Sequence, residues 1–153
     1  PGVYSPAGAL NLAPGMSLAG SNGGLVIVRG VVVMQGGRAT IKNIHFQGTS
    51  GTGLVVDSSA GAPVTASIRN CIFEGYTTGI SMLDTGVAGA DMKVVKTLFL
   101  YNGTGIHVGA GDYQIKQSQF QAGDGDYGIN NDAGACSART SSVGRLRSPT
   151  RWR

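Results

Sequence analysis

The groups in this chain that could do chemistry are eight carboxylates, two imidazoles and a spaced set of cations. Two carboxyl groups flanking a glycosidic bond can cleave it, one protonating the leaving oxygen while the other activates water or attacks. The acids available are Asp57, Glu74, Asp84, Asp91, Asp112, Asp124, Asp126 and Asp132. They are densest in Gly123-Asp124-Gly125-Asp126-Tyr127-Gly128-Ile129-Asn130-Asn131-Asp132, so Asp124, Asp126 and Asp132 are the candidate catalytic carboxylates. Acids alternating with Gly and Asn also offer hard oxygen ligands. Asp124 and Asp126 are therefore candidate metal ligands, and Ca²⁺ is the one cofactor suggested. The spacing fits no complete calcium loop, and Gly/Asp-rich stretches are more often ordinary turns. His107 is a candidate general base near neutral pH, set against the plainer reading of a solvated strand histidine.

Lys42, Arg69 and Lys116 form a second group, interrupted by Val95 and with Lys93 and Lys96 nearby. On one sheet face they could hold the carboxylates or sulfates of an acidic polysaccharide. The alternative is a solvated face that protects against edge pairing. The net charge of +4 does not itself argue for nucleic acid. Five of the twelve Lys and Arg residues lie in 136–153, which has no acid, leaving seven bases against eight acids elsewhere. Such a tail could touch phosphates, but it reads better as an unfolded or non-native extension, so a nucleic-acid partner is not expected. Cys71 and Cys136 give neither a disulfide framework nor a zinc spacing. No Gly-x-Ser-x-Gly elbow, phosphate loop or dinucleotide fingerprint is present. Without a run of roughly 18 to 20 apolar residues, no membrane partner is expected.

The elements that must position these groups follow from composition and repetition. Gly supplies 26 of 153 residues, about 17% where roughly 7% is usual. Charged residues are scarce at 13%, which argues against a helix bundle, whose exposed faces use Glu, Lys and Arg. A segment running from an aliphatic residue to a Phe five positions later recurs four times: Ile41–Phe46, Ile68–Phe73, Val94–Phe99 and Ile115–Phe120. Six to eight residues after each Phe stands a Gly-aliphatic pair: Gly53-Leu54, Gly79-Ile80, Gly105-Ile106 and Gly128-Ile129. Each unit predicts three short strands. Because side chains alternate along a strand, stacking the units gives inward columns such as Leu54, Ile80, Ile106, Ile129 and Ile41, Ile68, Val94, Ile115. The last strand supplies Ile44, Cys71, Thr97, Ser118 and a ladder of Phe46, Phe73, Phe99 and Phe120. Outward columns are Val55, Ser81, His107, Asn130 on the first strand and His45, Ile72, Leu98, Gln119 on the third. A unit of this size cannot bury both sides of three strands alone, but stacked coils enclose a continuous interior. A parallel β-helix satisfies this. Gly before the first strand suits a tight turn, and Asn43 and Asn70 suit the bend between second and third strands, where Lys96 and Gln117 break the Asn column.

Ile68-Arg69-Asn70-Cys71-Ile72-Phe73-Glu74-Gly75, followed by Gly79-Ile80-Ser81-Met82, resembles the coil repeat of right-handed parallel β-helices of the pectate lyase-like superfamily. Pro1-Gly2-Val3-Tyr4 and Leu10 to Gly20 are similar to the segment that leads into the first coils there. The resemblance covers about residues 1–132. It implies an all-β, single-stranded right-handed parallel β-helix of about four coils, with a lead-in or cap segment at 1–24, coils at 25–132 and an irregular basic tail at 133–153. It also implies a polysaccharide-recognising protein, part of a polysaccharide lyase, a glycoside hydrolase or a phage tailspike depolymerase. The alternative is a non-enzymatic structural or adhesion scaffold. Members are longer, so the chain is expected to be a piece of one, extracellular or virion-associated. The superfamily's hydrolase signatures Asn-Thr-Asp, Asp-Asp, Gly-His-Gly and Arg-Ile-Lys do not occur, so no catalytic residue carries over. Outward Ile72 and Leu98 predict a covered face. A returning loop or a neighbouring subunit would cover it, and a homotrimer packed side by side would resemble tailspikes.

Overall fold

The computed structural model describes residues 2–21, 25–83, 89–121 and 127–132 of the chain. The expected basic tail, 133–153, lies outside the described residues. The first coil is β1 (Gly2–Tyr4), β2 (Leu10–Leu12) and β3 (Ser17–Ala19). The second is β4 (Val26–Val28), β5 (Val32–Gln35) and β6 (Gly37–Lys42). The third is β7 (His45–Gln47), β8 (Thr52–Asp57) and β9 (Val64–Arg69). The fourth is β10 (Ile72–Glu74), β11 (Thr78–Leu83) and β12 (Ala90–Val95). Then come β13 (Leu98–Leu100), β14 (Thr104–Val108) and β15 (Asp112–Lys116), and finally β16 (Gln119–Gln121) and β17 (Tyr127–Asn131). Each strand pairs in parallel with its counterpart one coil away. Three sheets result: A in the order β1-β4-β7-β10-β13-β16, B in the order β2-β5-β8-β11-β14-β17, and C in the order β3-β6-β9-β12-β15. The expected parallel β-helix is what the chain forms. Residues 2–19, within the expected lead-in segment, already place one strand in each sheet.

The register is the one the repeat dictates. In sheet B, Val32, Leu54, Ile80, Ile106 and Ile129 pair in sequence, and in sheet C so do Ile41, Ile68, Val94 and Ile115. The four Phe rings stack nearly parallel in sheet A, with centroids 4.5, 5.3 and 4.6 Å apart. All four are buried, so each contributes the roughly 1.5–3 kcal/mol of a fully buried large apolar side chain.

Two local features explain residues that alternation alone leaves odd. The bend from sheet C to sheet A holds Asn43, Asn70, Lys96 and Gln117 in the left-handed region, with φ of 58, 51, 52 and 50°. Asn70 Nδ2 donates to Asn43 Oδ1 at 2.8 Å; Lys96 and Gln117 take the same backbone without the Asn side chain that favours it. Just past this bend the inward Thr97 and Ser118 are polar yet buried. Thr97 Oγ1 donates to the Val95 carbonyl (3.2 Å) and Ser118 Oγ to that of Lys116 (3.0 Å), as Cys71 Sγ does to that of Arg69 (3.2 Å). Each side chain thus satisfies itself two residues back, across the left-handed residue.

The glycines expected before the sheet B strands are instead the second residue of each strand, Gly53 in β8, Gly79 in β11 and Gly105 in β14, and they are there for a reason other than the expected turn. Among the residues with positive φ, Gly53, Gly79 and Gly105 do not appear. A Cβ on Gly79 would lie 2.7 Å from the Gly105 carbonyl oxygen and 3.1 Å from Phe99, and one on Gly105 would lie 2.6 Å from both the Gly128 oxygen and Phe120. The next rung's Phe ring lies against the bare Cα, so the Phe ladder and the Gly column are one packing device.

Candidate functional site

On sheet C alternate side chains point outward, and the register arranges them in three columns. One is Lys42, Arg69, Val95 and Lys116; beside it run Thr40, Ser67, Lys93 and Gln114, then Arg38, Thr65, Asp91 and Asp112. The three candidate substrate-binding cations therefore share one column, as expected. Lys42 and Arg69 are exposed and Lys116 half-buried, and Lys93 in the next column is exposed. Adjacent rungs lie roughly 4.8 Å apart, so Arg69 stands one rung from Lys42 and two from Lys116. Arg69 Nε donates to Ser67 Oγ at 3.2 Å, tethering the guanidinium to the sheet face. A depression of about 340 Å³ lies over the other two columns, lined by Asp91, Lys93, Asp112 and Gln114 among others and by none of the three cations.

On sheet B the outer column is Val33, Val55, Ser81, His107 and Asn130. It is less open than expected: Ser81 is buried, a short side chain shadowed by Val55 and His107 on either side in register. His107 Nε2 lies 2.7 Å from Asp132 Oδ2, with the ring N–H donating to the carboxylate. Two candidate catalytic residues that the sequence held in separate groups are thus brought together. Asn130 is the rung partner of His107, and Asp132 stands two residues further on, within the diagonal reach of long side chains. Asp84, Asp124 and Asp126 lie outside the described residues, and with them the suggested Ca²⁺ ligands. Among the described residues no three His, Cys, Asp or Glu side chains cluster in a way that could hold a metal ion. Asp57 accepts bonds from the Ser59 backbone N–H (2.8 Å) and Gln35 Nε2 (3.0 Å). Hydrogen bonding by Ser59, then by Gln35, holds its carboxyl below the usual range, and that is the mark of a turn-locking carboxylate.

The same diagonal recurs on sheet A, where sequence reasoning missed it. His45 Nε2 and Glu74 Oε2 are 2.7 Å apart, with side chains 14% and 32% exposed against 29% and 60% for His107 and Asp132. Register places Ile72 beside His45 with Glu74 two residues later, but the contact itself depends on how far the two side chains reach. Two depressions flank this pair, one of about 640 Å³ bounded by Asn43, Asn70, Ile72 and Leu98, the other of about 770 Å³ bounded by Arg29, Gln47, Glu74 and Tyr101. Cys71 is buried, and burial pushes its thiol up to about 11, which leaves it a core side chain rather than a nucleophile.

Three parallel sheets wound once per coil around a stack of Phe define a parallel β-solenoid. The family model for the right handed beta helix region matches residues 29–129, and the chain belongs to that family. No curated protein and no solved structure matches it.

Proposed function

We propose that this β-helix recognises an acidic polysaccharide along the outer face of sheet C. The observation that carries the proposal is the single column of Lys42, Arg69 and Lys116 running across four rungs. A glycan laid along the helix axis meets a cation at nearly every rung, and a pyranose unit is about as long as one rung of roughly 4.8 Å. Arg69 offers a planar fork to a carboxylate or sulfate, and the lysines offer point charges. The likeness of the coil repeat to the pectate lyase-like superfamily supports a carbohydrate partner. The setting in which such polymers are met is extracellular or the surface of a virion. The test is titration with polygalacturonate and with a neutral glycan of the same length, using the native chain and a Lys42→Ser/Arg69→Ser/Lys116→Ser variant. Binding of the acidic polymer that is lost in the variant, while any binding of the neutral glycan is unchanged by the three substitutions, supports recognition along sheet C; acidic-polymer binding that the variant retains would overturn it, and binding of neither polymer supports the plain scaffold.

A second reading, cleavage of the bound polymer, is favoured by the 2.7 Å His107–Asp132 contact, which orients an imidazole as a general base requires. It predicts unsaturated product or new reducing ends with the native chain and none with His107→Ala.

A further inference from the structure

Beyond the acidic-glycan face, we propose that the depression between sheets A and B binds a neutral hexopyranose unit, stacked on Tyr101 and hydrogen-bonded by Glu74, Arg29 and Gln47. Tyr101 has φ of 53°, a conformation that costs an L-residue with a bulky side chain. The equivalent position one rung earlier is Gly75, with φ of 76°; Gly75 N–H donates to the Leu100 carbonyl as Tyr101 N–H does to that of Gln121. The turn thus favours Gly, yet here it carries an aromatic ring that adds nothing to the core, since Tyr101 is 59% exposed. Lys96 and Gln117 hold the same φ; what sets Tyr101 apart is an exposed aromatic ring on the wall of a depression, and strain kept there without a packing return points to a surface use. Gln121 Nε2 donates to the Tyr101 hydroxyl at 3.1 Å, which steadies the ring at the rim.

The remaining walls suit a sugar. The floor is the backbone of Gly48 and Gly75, where a Cβ on Gly75 would run into the Gly48 carbonyl. Beneath it the Tyr76 ring is locked by its hydroxyl donating to the Gly30 carbonyl at 3.2 Å. Glu74 engages His45 through one oxygen, and its carboxylate retains acceptor sites for ligand hydroxyls. Arg29 donates through Nε and Nη2 to Gln47 Oε1, at 3.1 and 2.9 Å, leaving further N–H donors on its fork. One cation and one anion at the rim cancel, so neither a polyanion nor a polycation is selected. A flat ring beside mixed donors and acceptors matches a pyranose, which has an apolar C–H face and equatorial hydroxyls. The volume of about 770 Å³ accommodates more than one such unit.

The test uses the full chain with cellohexaose and chitohexaose, read by calorimetry and saturation-transfer NMR. At least one probe is expected to bind, insensitive to salt. Tyr101→Gly should weaken it about tenfold or more while the melting temperature holds or rises, because Gly relieves the backbone. Tyr101→Phe keeps the ring and should bind within about threefold of the native chain. Binding of neither probe, native-like binding by Tyr101→Gly, or a fall of several degrees in its melting temperature would each overturn the proposal, the last by showing that the side chain merely holds the turn. Retained binding of the neutral probe together with failure to bind polygalacturonate would remove the sheet C reading and leave this site standing.

Discussion

The outer face of sheet C from β6 to β15 is polar or charged at every position in register except Val95, whereas one of the two outer columns of sheet A runs Ile27, His45, Ile72, Leu98, Gln119 beside a second of Gln47, Glu74, Leu100 and Gln121. Beneath both, the inner columns are of one kind: Ile41, Ile68 and Val94 under sheet C, and Phe46, Phe73 and Phe99 under sheet A, all essentially unexposed. The solenoid's packing therefore fixes the inner residues and does not dictate the outer ones. Sheet C offers a regular array of charge, and sheet A offers an apolar column with one His–Glu pair and depressions on either side.

The largest expected effect strikes the plan common to both faces. Phe73→Ala removes a ring stacked on both sides and should cost about 3–5 kcal/mol, seen as a large fall in chemical-denaturation midpoint. If it spared the native near-UV signal and glycan binding, the two faces would not rest on one core. Gly79→Ala comes next: its Cβ meets the Gly105 carbonyl and Phe99, so a loss of about 1–3 kcal/mol is expected. Gly128→Ala is the control, since its Cβ would lie 3.6 Å from the nearest atom, Phe120 Cγ, and should be close to neutral. Equal losses at the two positions would break the link between the Phe ladder and the Gly column. The smallest effect sharpens the boundary between the faces. Lys96→Asn suits the left-handed bend between sheets C and A and should stabilise by about 0.5–1 kcal/mol. It should also weaken polygalacturonate slightly, because Lys96 lies one residue beyond Val95 of the basic column.

The columns were legible in the sequence because period-two alternation and a recurring Phe jointly fix register, and register fixes every rung neighbour. Lys42, Arg69 and Lys116 could be aligned from that alone. The His45–Glu74 and His107–Asp132 contacts could not, since they run diagonally and depend on how far each side chain reaches. The Gly53–Gly79–Gly105 column was visible, but its cause was not: alternation says which side of a strand a residue faces and nothing about a ring from the next rung pressing on its Cα. Thr97 and Ser118 are tolerated in an inward column because each hydroxyl bonds the carbonyl two residues back, which alternation alone does not foretell.

The central claim is that three cations in one column on sheet C hold an acidic glycan, and the salt dependence of polygalacturonate binding tests it most directly. With the native chain, the logarithm of affinity should fall with the logarithm of salt more steeply than with the Lys42→Ser/Arg69→Ser/Lys116→Ser variant. The difference in slope should be about two, corresponding to three neutralised anions at roughly 0.7 each as for a single-stranded polyanion. Equal affinities and equal slopes for the two proteins would contradict it.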